Sequence, residues 1–573
     1  MKHHALHLAL LACMGLAACH ATRQDAPAAA VAAEADAGQR RELSVAKLLA
    51  APASASAPVP TRAWQERGAA LEVITLSGTR IDAPQVTDTE NYASRDDNAV
   101  QRTSEHRVST FSVDVDTGSY SNVRRMLNGG IRPPADAVRA EEFLNYFHYG
   151  HAGPASRDIP FKVSTELAPA PWNPRRQLLM IGIKGFEVPK AALPPANIVL
   201  LIDTSGSMQA EDKLPLLKRA LTLLVKQLRP QDRVSIVVYA GSAGLVLPPT
   251  AGDRQGDILA ALARLEAGGS TNGGDGIRLA YAMARQAFVK DGANRVILAT
   301  DGDFNVGTVD SGALETLVSD QHKSGIALTT LGFGQGNYND ALAEKLADVG
   351  DGNHAYVDSI HEARKVLVEA MGSTLLTIAR DVKVQVEFNP ALVAEYRLVG
   401  YENRVLQRED FANDSVDAGD IGAGHEVTAL YEITPVGSGG ERLPAPRYGT
   451  RPAVLRASPA TAGELAHLRL RYKRPGDDHS RLIETPVLAS QLRARPGESM
   501  RLAAAVAGFA DALRGGARTD GWGWQGIVET ARASRGRDRG GERAELVGLI
   551  ETARRLIDVA PAPPAIGDAA ISR

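Results

Sequence analysis

The sequence predicts an α/β protein. A doubly wound, mostly parallel sheet is inserted into a β-sandwich, with a small N-terminal domain before it and helices after it. Three observations carry this expectation. Residues 198–202 (Ile-Val-Leu-Leu-Ile) form an apolar run without alternation, as a parallel strand covered on both faces requires. From there to residue 378, strand-like and helix-like segments alternate, the pattern of a sheet with helices on both faces. Strand-like segments also flank that region on either side.

Length and composition set the limits. A chain of 573 residues exceeds one hydrophobic core and implies roughly two to four domains. Hydrophobic residues at 44% and charged residues at 23% describe a soluble globular protein. A formal net charge of −3 excludes nucleic acid as a bulk partner, which would need a basic stripe. Aromatics at 5% leave few platforms for base stacking.

Residues 1–18 open with Lys2 and continue as a mostly apolar run, the shape of a secretory signal rather than a membrane span. Leu16-Ala17-Ala18-Cys19 resembles the bacterial lipobox. That resemblance implies cleavage before Cys19, acylation of its thiol (palmitate among the chains), and a lipid-anchored place in the bacterial cell envelope. His20 stands where an Asp would hold a lipoprotein at the inner membrane, which favours the outer membrane, facing the periplasm. The alternative is a plain secreted protein with a chance cysteine. Cys13, His3, His4 and His7 leave with the signal, so Cys19 becomes the sole thiol and no disulfide forms within the chain. Residues 19–87 are rich in Ala and Pro and read as a tether, interrupted at residues 72–82 by a strand-like pattern that suits a docked strand or a linker.

Residues 88–160 form the N-terminal domain. Within it, Asp116-Thr117-Gly118-Ser119 matches the aspartic-protease signature, but that chemistry needs a second carboxylate from a second such segment, and no other D-T-G occurs. Residues 161–195 hold the first two strands of the sandwich, at 161–167 and 177–186. Two strands are marginal alone. The β-rich residues 379–495, with strands at 382–388, 395–400, 427–433 and 468–472, complete one sandwich with them; two separate β-units are the alternative.

In the insertion, residues 196–378, the segment 213–228 has Leu216, Leu217, Ala220, Leu221 and Leu224 at helical spacing. Strands follow at 233–239, 295–300, 326–333 and 354–357, and helices at 257–265, 276–289, 314–323 and 339–349, with a long helix at 360–378 leading out. Gly334-Gln335-Gly336-Asn337 reads as a turn at the sheet edge, because no helix starts at dinucleotide-loop spacing and no acid follows at the ribose position. Residues 496–560 close the fold with helices at 497–513 and 543–557; Leu546, Leu549, Ile550, Ala553, Leu556 and Ile557 form one apolar face. Trp522 and Trp524 between them are packing residues, and residues 561–573 are a Pro- and Ala-rich tail.

The chemistry gathers where strands end. The run at 198–202 leads to Asp203, followed by Ser205 and Ser207: a carboxylate and two hydroxyls at alternate positions. These are hard oxygen donors, suited to Mg²⁺ or Mn²⁺ rather than Zn²⁺. Gly206 lets the backbone turn between the serines. A glycine-rich loop at 268–274 carries a further hydroxyl, Thr271, and the strand at 295–300 ends on Asp301. Acids just past two buried strands should meet at the carboxyl edge of the sheet. D-x-S-x-S, then a loop Thr, then T-D-G resembles the metal-ion-dependent adhesion site of von Willebrand factor type A domains, a Rossmann-like fold. The resemblance implies a metal site of Asp203, Ser205, Ser207, Thr271 and Asp301, with Asp203 ligating directly, Asp301 through water, and an open position for an Asp or Glu of a protein partner.

Residues 111–120 (F-S-V-D-V-D-T-G-S-Y), Arg124-Arg125 and the Glu141-Glu142…Asn145-Tyr146-Phe147 run resemble a small domain that accompanies the type A domain in one group of bacterial lipoproteins. The function expected is therefore a membrane-anchored, divalent-metal-dependent, protein-binding (adhesion-type) lipoprotein. The alternative is an envelope scaffold or assembly factor whose metal site is idle. An enzyme is not expected. His361-Glu362 lacks the second His of H-E-x-x-H, no G-x-S-x-G stands at an elbow, and no cysteine is left as a nucleophile.

Overall fold

The computed structural model describes residues 89–269, 273–302, 311–444, 447 and 461–559. The signal, Cys19, the tether, the 72–82 segment, Thr271 and the tail lie outside the described residues.

The strands run, in chain order, β1 (Gln101–Arg102), β2 (Val108–Ser112), β3 (Phe161–Ala170), β4 (Asn173–Gly185), β5 (Ala196–Asp203), β6 (Arg233–Tyr239), β7 (Ala243–Ala251) and β8 (Ala293–Thr300). They continue as β9 (Ala327–Gly332), β10 (His354–Tyr356), β11 (Thr377–Phe388), β12 (Val393–Val399), β13 (Ile421–Gly422), β14 (Glu426–Pro435), β15 (Glu464–Lys473) and β16 (Arg481–Leu488). One sheet, in the order β10-β9-β8-β5-β6-β7, is parallel except for β7 on its edge. The apolar run of β5 serves both faces. Ile198, Leu200 and Ile202 pack with the Leu214–Val225 and Gln255–Ala263 helices. Val199 and Leu201 pack with the Gly273–Gln286, Ser311–Lys323 and Asp340–Val349 helices. Two-sided burial is the physical reason for the missing alternation.

The other strands form two facing sheets. One runs β1-β12-β14-β4-β3; the other runs β13-β11-β15-β16, with β2 paired to β11. Between them lies one core that includes Leu179, Ile181, Val384, Tyr431 and Leu468. Because β4 from before the insertion pairs with β14 from after it (Leu179 opposite Tyr431), the flanks make one sandwich and not two β-units. Alternate residues of β4, Leu178 and Met180, point the other way. There they meet a helical layer in which the Gly118–Asn128 and Ala140–Asn145 helices share a core with Glu498–Leu513, Gly523–Ala533 and Glu542–Val559. Trp522 packs on Trp172 in this layer, ring centroids 5.6 Å apart, as expected of a packing residue.

Several features differ from expectation. The sandwich takes its first strands, β1 and β2, from residues 88–160, which were expected to form a separate N-terminal domain. The long helix over 360–378 is instead the helix Ile360–Arg364, a π-turn Lys365–Glu369 and the helix Met371–Leu375, after which Thr377 and Ile378 already belong to β11. Ile378 stands at the alternate-residue spacing of Val382, Val384 and Val386. Strands β7 and β16 were not foreseen, because each contains proline: Pro248 and Pro249 in one, Pro486 in the other. Both lie on a sheet edge, where a missing N–H is tolerated.

Buried charge joins the N-terminal helices to the parallel-sheet domain. Arg139 donates to Glu142 and to Asp340, and Glu344 lies 3.7 Å away. Burial alone would raise the Asp340 carboxyl; the Arg139 guanidinium overrides it and holds that carboxyl below its ordinary value. Arg124 reaches Glu362 at 2.8 Å and Glu545 at 3.1 Å, and donates through Nε to Asp358 at 2.7 Å. Asp116, of the protease-like tetrapeptide, accepts from the His354 backbone N–H at 2.8 Å and so fixes β10 in place. Removing the guanidinium in Arg139→Ala leaves buried carboxylates without a counter-charge. Urea unfolding should show a loss of about 3–5 kcal/mol.

Candidate metal-binding site at the carboxyl edge of the sheet

Neighbouring parallel strands β5 and β8, in register with Ile202 opposite Ala299, end on Asp203 and Thr300. Asp203 and Asp301 are thereby brought together, and each is fully buried. Beyond Asp203 the chain turns through Ser205 into a short 3₁₀ segment, Gly206–Gln209. The Ser205 N–H donates to Asp203 Oδ1 at 2.8 Å, and the Ser205 and Ser207 hydroxyls lie 2.9 Å apart. Ser205 is buried and Ser207 exposed, so the hydroxyl pair runs from interior to surface. The glycine-rich loop is bound to this turn: Gly268 N–H donates to Thr204 O at 2.8 Å, and Gly206 N–H donates to Gly269 O at 3.1 Å. Thr271 lies outside the described residues, between Gly269 and the helix that starts at Gly273.

Four of the five expected site residues therefore stand at one edge. Asp203 Oδ2 is buried and makes no well-aligned hydrogen bond among the described residues, although the Tyr239 hydroxyl stands beside the carboxylate. Burial pushes the Asp203 carboxyl up to about 6 and the neighbouring Asp301 charge adds to this, while the Ser205 donors and the Tyr239 hydroxyl oppose it. A buried carboxylate oxygen with unused capacity, beside two hydroxyl oxygens, fits a hard divalent cation. Among the described residues no three His, Cys, Asp or Glu side chains cluster as a metal site, so any ion here would rely on hydroxyl oxygens.

Two residues at this edge were missed. Tyr239, the buried last residue of β6, bears on Asp203, and burial followed by the Asp203 charge raises its hydroxyl well above the ordinary value. Its signal was a hydroxyl-bearing aromatic at the end of an apolar strand. Lys213 is the second. Its ammonium lies 2.8 Å from Asp301 Oδ2 and 3.1 Å from Asn337 Oδ1. No local pattern places a lysine on an acid 88 positions away.

The chain is similar to known proteins over most of its length. Residues 86–180 match a family profile described as von Willebrand factor, residues 198–303 one described as von Willebrand factor type A domain, and residues 373–556 one described as "Uncharacterized protein YfbK, C-terminal". The protein YfbK of Escherichia coli (strain K12) is 47% identical over 477 residues, covering 82% of each chain. The chain belongs to the YfbK family of von Willebrand factor type A domain proteins. A more distant relative of this family member is the protein sll0103 of Synechocystis sp., 28% identical over 34% of this chain and 45% of its own. A solved structure titled von Willebrand factor type A from Catenulispora acidiphila aligns over 73% of this chain and 93% of its own, at 16% identity and a TM-score of 0.40. The type A domain implies a protein-interaction, adhesion-type role, and such domains often bind Mg²⁺ or Mn²⁺ at this edge.

The raised Asp203 carboxyl has a pH signature. In chelator, the ionised buried carboxylate opposes folding above about pH 6, and the opposition fades as pH falls through 6 toward the ordinary carboxylate value. Asp203→Asn should therefore stabilise the metal-free protein by up to about 3 kcal/mol at pH 7.5. At pH 4 the gain should largely vanish. Denaturant titrations of both proteins at the two pH values check this.

Proposed function

We propose that this protein is a lipid-anchored, divalent-metal-dependent protein-binding lipoprotein of the bacterial envelope. The observation that carries the reading is the buried Asp203 carboxylate beside the Ser205 and Ser207 hydroxyls, with Asp301 just past the end of the adjoining strand. Asp203, Ser205, Ser207, Thr271 and Asp301 would hold Mg²⁺ or Mn²⁺. A bound divalent ion supplies a Lewis-acidic position that attracts an anionic oxygen, so the partner is a protein with an exposed Asp or Glu. Recognition of this kind needs no general base, and the reading assigns no catalytic step to these residues. Nucleic acid is not proposed as a partner.

Anchoring rests on the lipobox-like Leu16-Ala17-Ala18-Cys19, with the membrane contact made through acylated Cys19 and the outer membrane, periplasmic face, favoured by His20. Among the described residues no helix is long and apolar enough to cross a membrane. One acyl chain binds marginally and stable anchoring takes more than one.

A specific observation favours a second reading, a scaffold or assembly factor with an idle site: Asp301 is already paired with the Lys213 ammonium. Calorimetry with Mg²⁺ separates the two. Asp203→Ala should abolish Mg²⁺ binding, and chelator or the same change should abolish capture of an envelope protein by the immobilised wild type. Capture that is indifferent to both would favour the scaffold. Cys19→Ser should move the protein from the membrane fraction to the soluble one; continued sedimentation with membranes would place the anchor elsewhere.

A further inference from the structure

Lys213 is held by a built cradle. Its stem crosses Gly334, whose positive φ of 73° suits glycine, and a Cβ there would fall inside the van der Waals radii of the Lys213 methylenes. Its ammonium ends between Asp301 Oδ2 and Asn337 Oδ1, and the lysine is only 6% exposed. The loop that forms the cradle is itself fixed from outside. The Gly336 N–H donates to Glu90 Oε1 at 2.9 Å, the Thr89 N–H donates to Gly336 O at 2.9 Å, and the Asn91 N–H donates to Tyr338 O at 2.9 Å. Glu90 is paired in turn with Arg125 at 2.8 Å. The placement of the ammonium is thus over-determined, and its strongest partner is a residue of the proposed metal site.

We propose that Lys213 is a positioning residue of that site: a resident cation that holds Asp301 and removes one unit of negative charge. The inference rests on the metal-binding reading above and deepens it. Asp203 and Asp301 together carry −2 when ionised, and Lys213 brings the set to −1. A divalent cation then leaves the site at +1, and the carboxylate of a partner brings it to zero. Without Lys213 the cation alone would bring the site to zero, and the partner carboxylate would add an uncompensated charge. In a buried site of low effective dielectric, one such charge within a few ångströms changes affinities by about tenfold or more. Lys213 therefore weakens binding of the metal alone and makes the metal-loaded site more demanding of an anion.

The test is calorimetric titration of the full chain with MgCl₂ alone, on wild type, Lys213→Met, Asn337→Ala and Asp203→Ala. Lys213→Met should bind Mg²⁺ about tenfold or more tightly than wild type. Asn337→Ala, at a half-buried loop position, loosens the ammonium without deleting it and should move the affinity the same way by about two- to threefold. It keeps the question open to measurement if Lys213→Met does not fold. Thermal midpoints supply the second readout: Lys213→Met should melt lower than wild type in chelator and recover when Mg²⁺ is added in excess. An unchanged Mg²⁺ affinity in both variants, or a melting deficit that Mg²⁺ leaves untouched, overturns the proposal and leaves Lys213 a structural ion pair. Failure of the metal reading looks different: then neither wild type nor Lys213→Met binds Mg²⁺, or Asp203→Ala binds it as well as wild type, and the inference falls with it.

Discussion

The antiparallel pairing of β4 with β14 is the constraint on which the rest depends. It joins residues on either side of about 240 intervening ones, from Gly185 to Glu426, and closing so long a loop from an unfolded chain opposes pairing by about 5 kcal/mol. The insertion reduces that opposition by folding with its ends together. The chain leaves β4 at Gly185 and returns at Thr377, and these two points are adjacent: Thr377 lies opposite Gly422, and a Cβ on Gly185 would touch Gly422 O and Ile378. A glycine at each crossing lets the backbones approach at the point where the domain is spliced in. The sandwich is thus complete only when the inserted domain holds its two ends side by side, and the inserted domain is tied back by the buried arginines of the N-terminal helices.

That arrangement also fixes the direction in which the site faces. In a parallel sheet all strands of one sense present their carboxyl ends at one edge, so Asp203 and Asp301 emerge together without any special feature of either loop. What is special is the dryness of their surroundings. Both carboxylates are fully buried, and a buried charge without compensation is strongly disfavoured. The structure answers that problem twice and differently: Asp301 receives an ammonium, while Asp203 is met by neutral groups, the Ser205 N–H and the Tyr239 hydroxyl. The asymmetry assigns the two acids different tasks even though the strand pattern that presents them is the same.

Much of this was legible in the sequence because it followed from local periodicity. The unbroken run 198–202 identified a strand buried on both sides, and the acids one position past two such strands followed from sheet geometry alone. Ser205 and Ser207 were readable because their spacing is local. Lys213 was not, since its partner is fixed by tertiary folding and by a glycine slot on a third loop. Strands β7 and β16 were hidden by proline, a residue that speaks against central strands and says little about edges. The sharing of one core by the N-terminal and C-terminal helices was equally invisible: apolar stripes on Glu542–Val559 and on Gly118–Asn128 say that each helix is covered, not that they cover each other's neighbours.

The choice of lysine at position 213 fits the slot that holds it. A guanidinium is planar and broad and pairs best side-on with a carboxylate, whereas an ammonium is a compact charge on a flexible stem. The passage over Gly334 admits a methylene chain, and the end of the passage offers one carboxylate oxygen and one amide oxygen, a set of acceptors that a point charge satisfies. The same loop is hydrogen-bonded by Thr89 and Asn91, which pack against the wall of this slot. Asp301, Lys213, Asn337 and the Glu90–Arg125 pair thereby form one contiguous path from the sheet edge to the N-terminal helix. Its rigidity follows from its chemistry: charge-assisted contacts at its two ends are joined through a glycine-rich loop whose backbone is hydrogen-bonded on the outer side. A site held this way begins from a preset charge, set by an ammonium whose slot is braced from outside by the backbone contacts of Thr89 and Asn91.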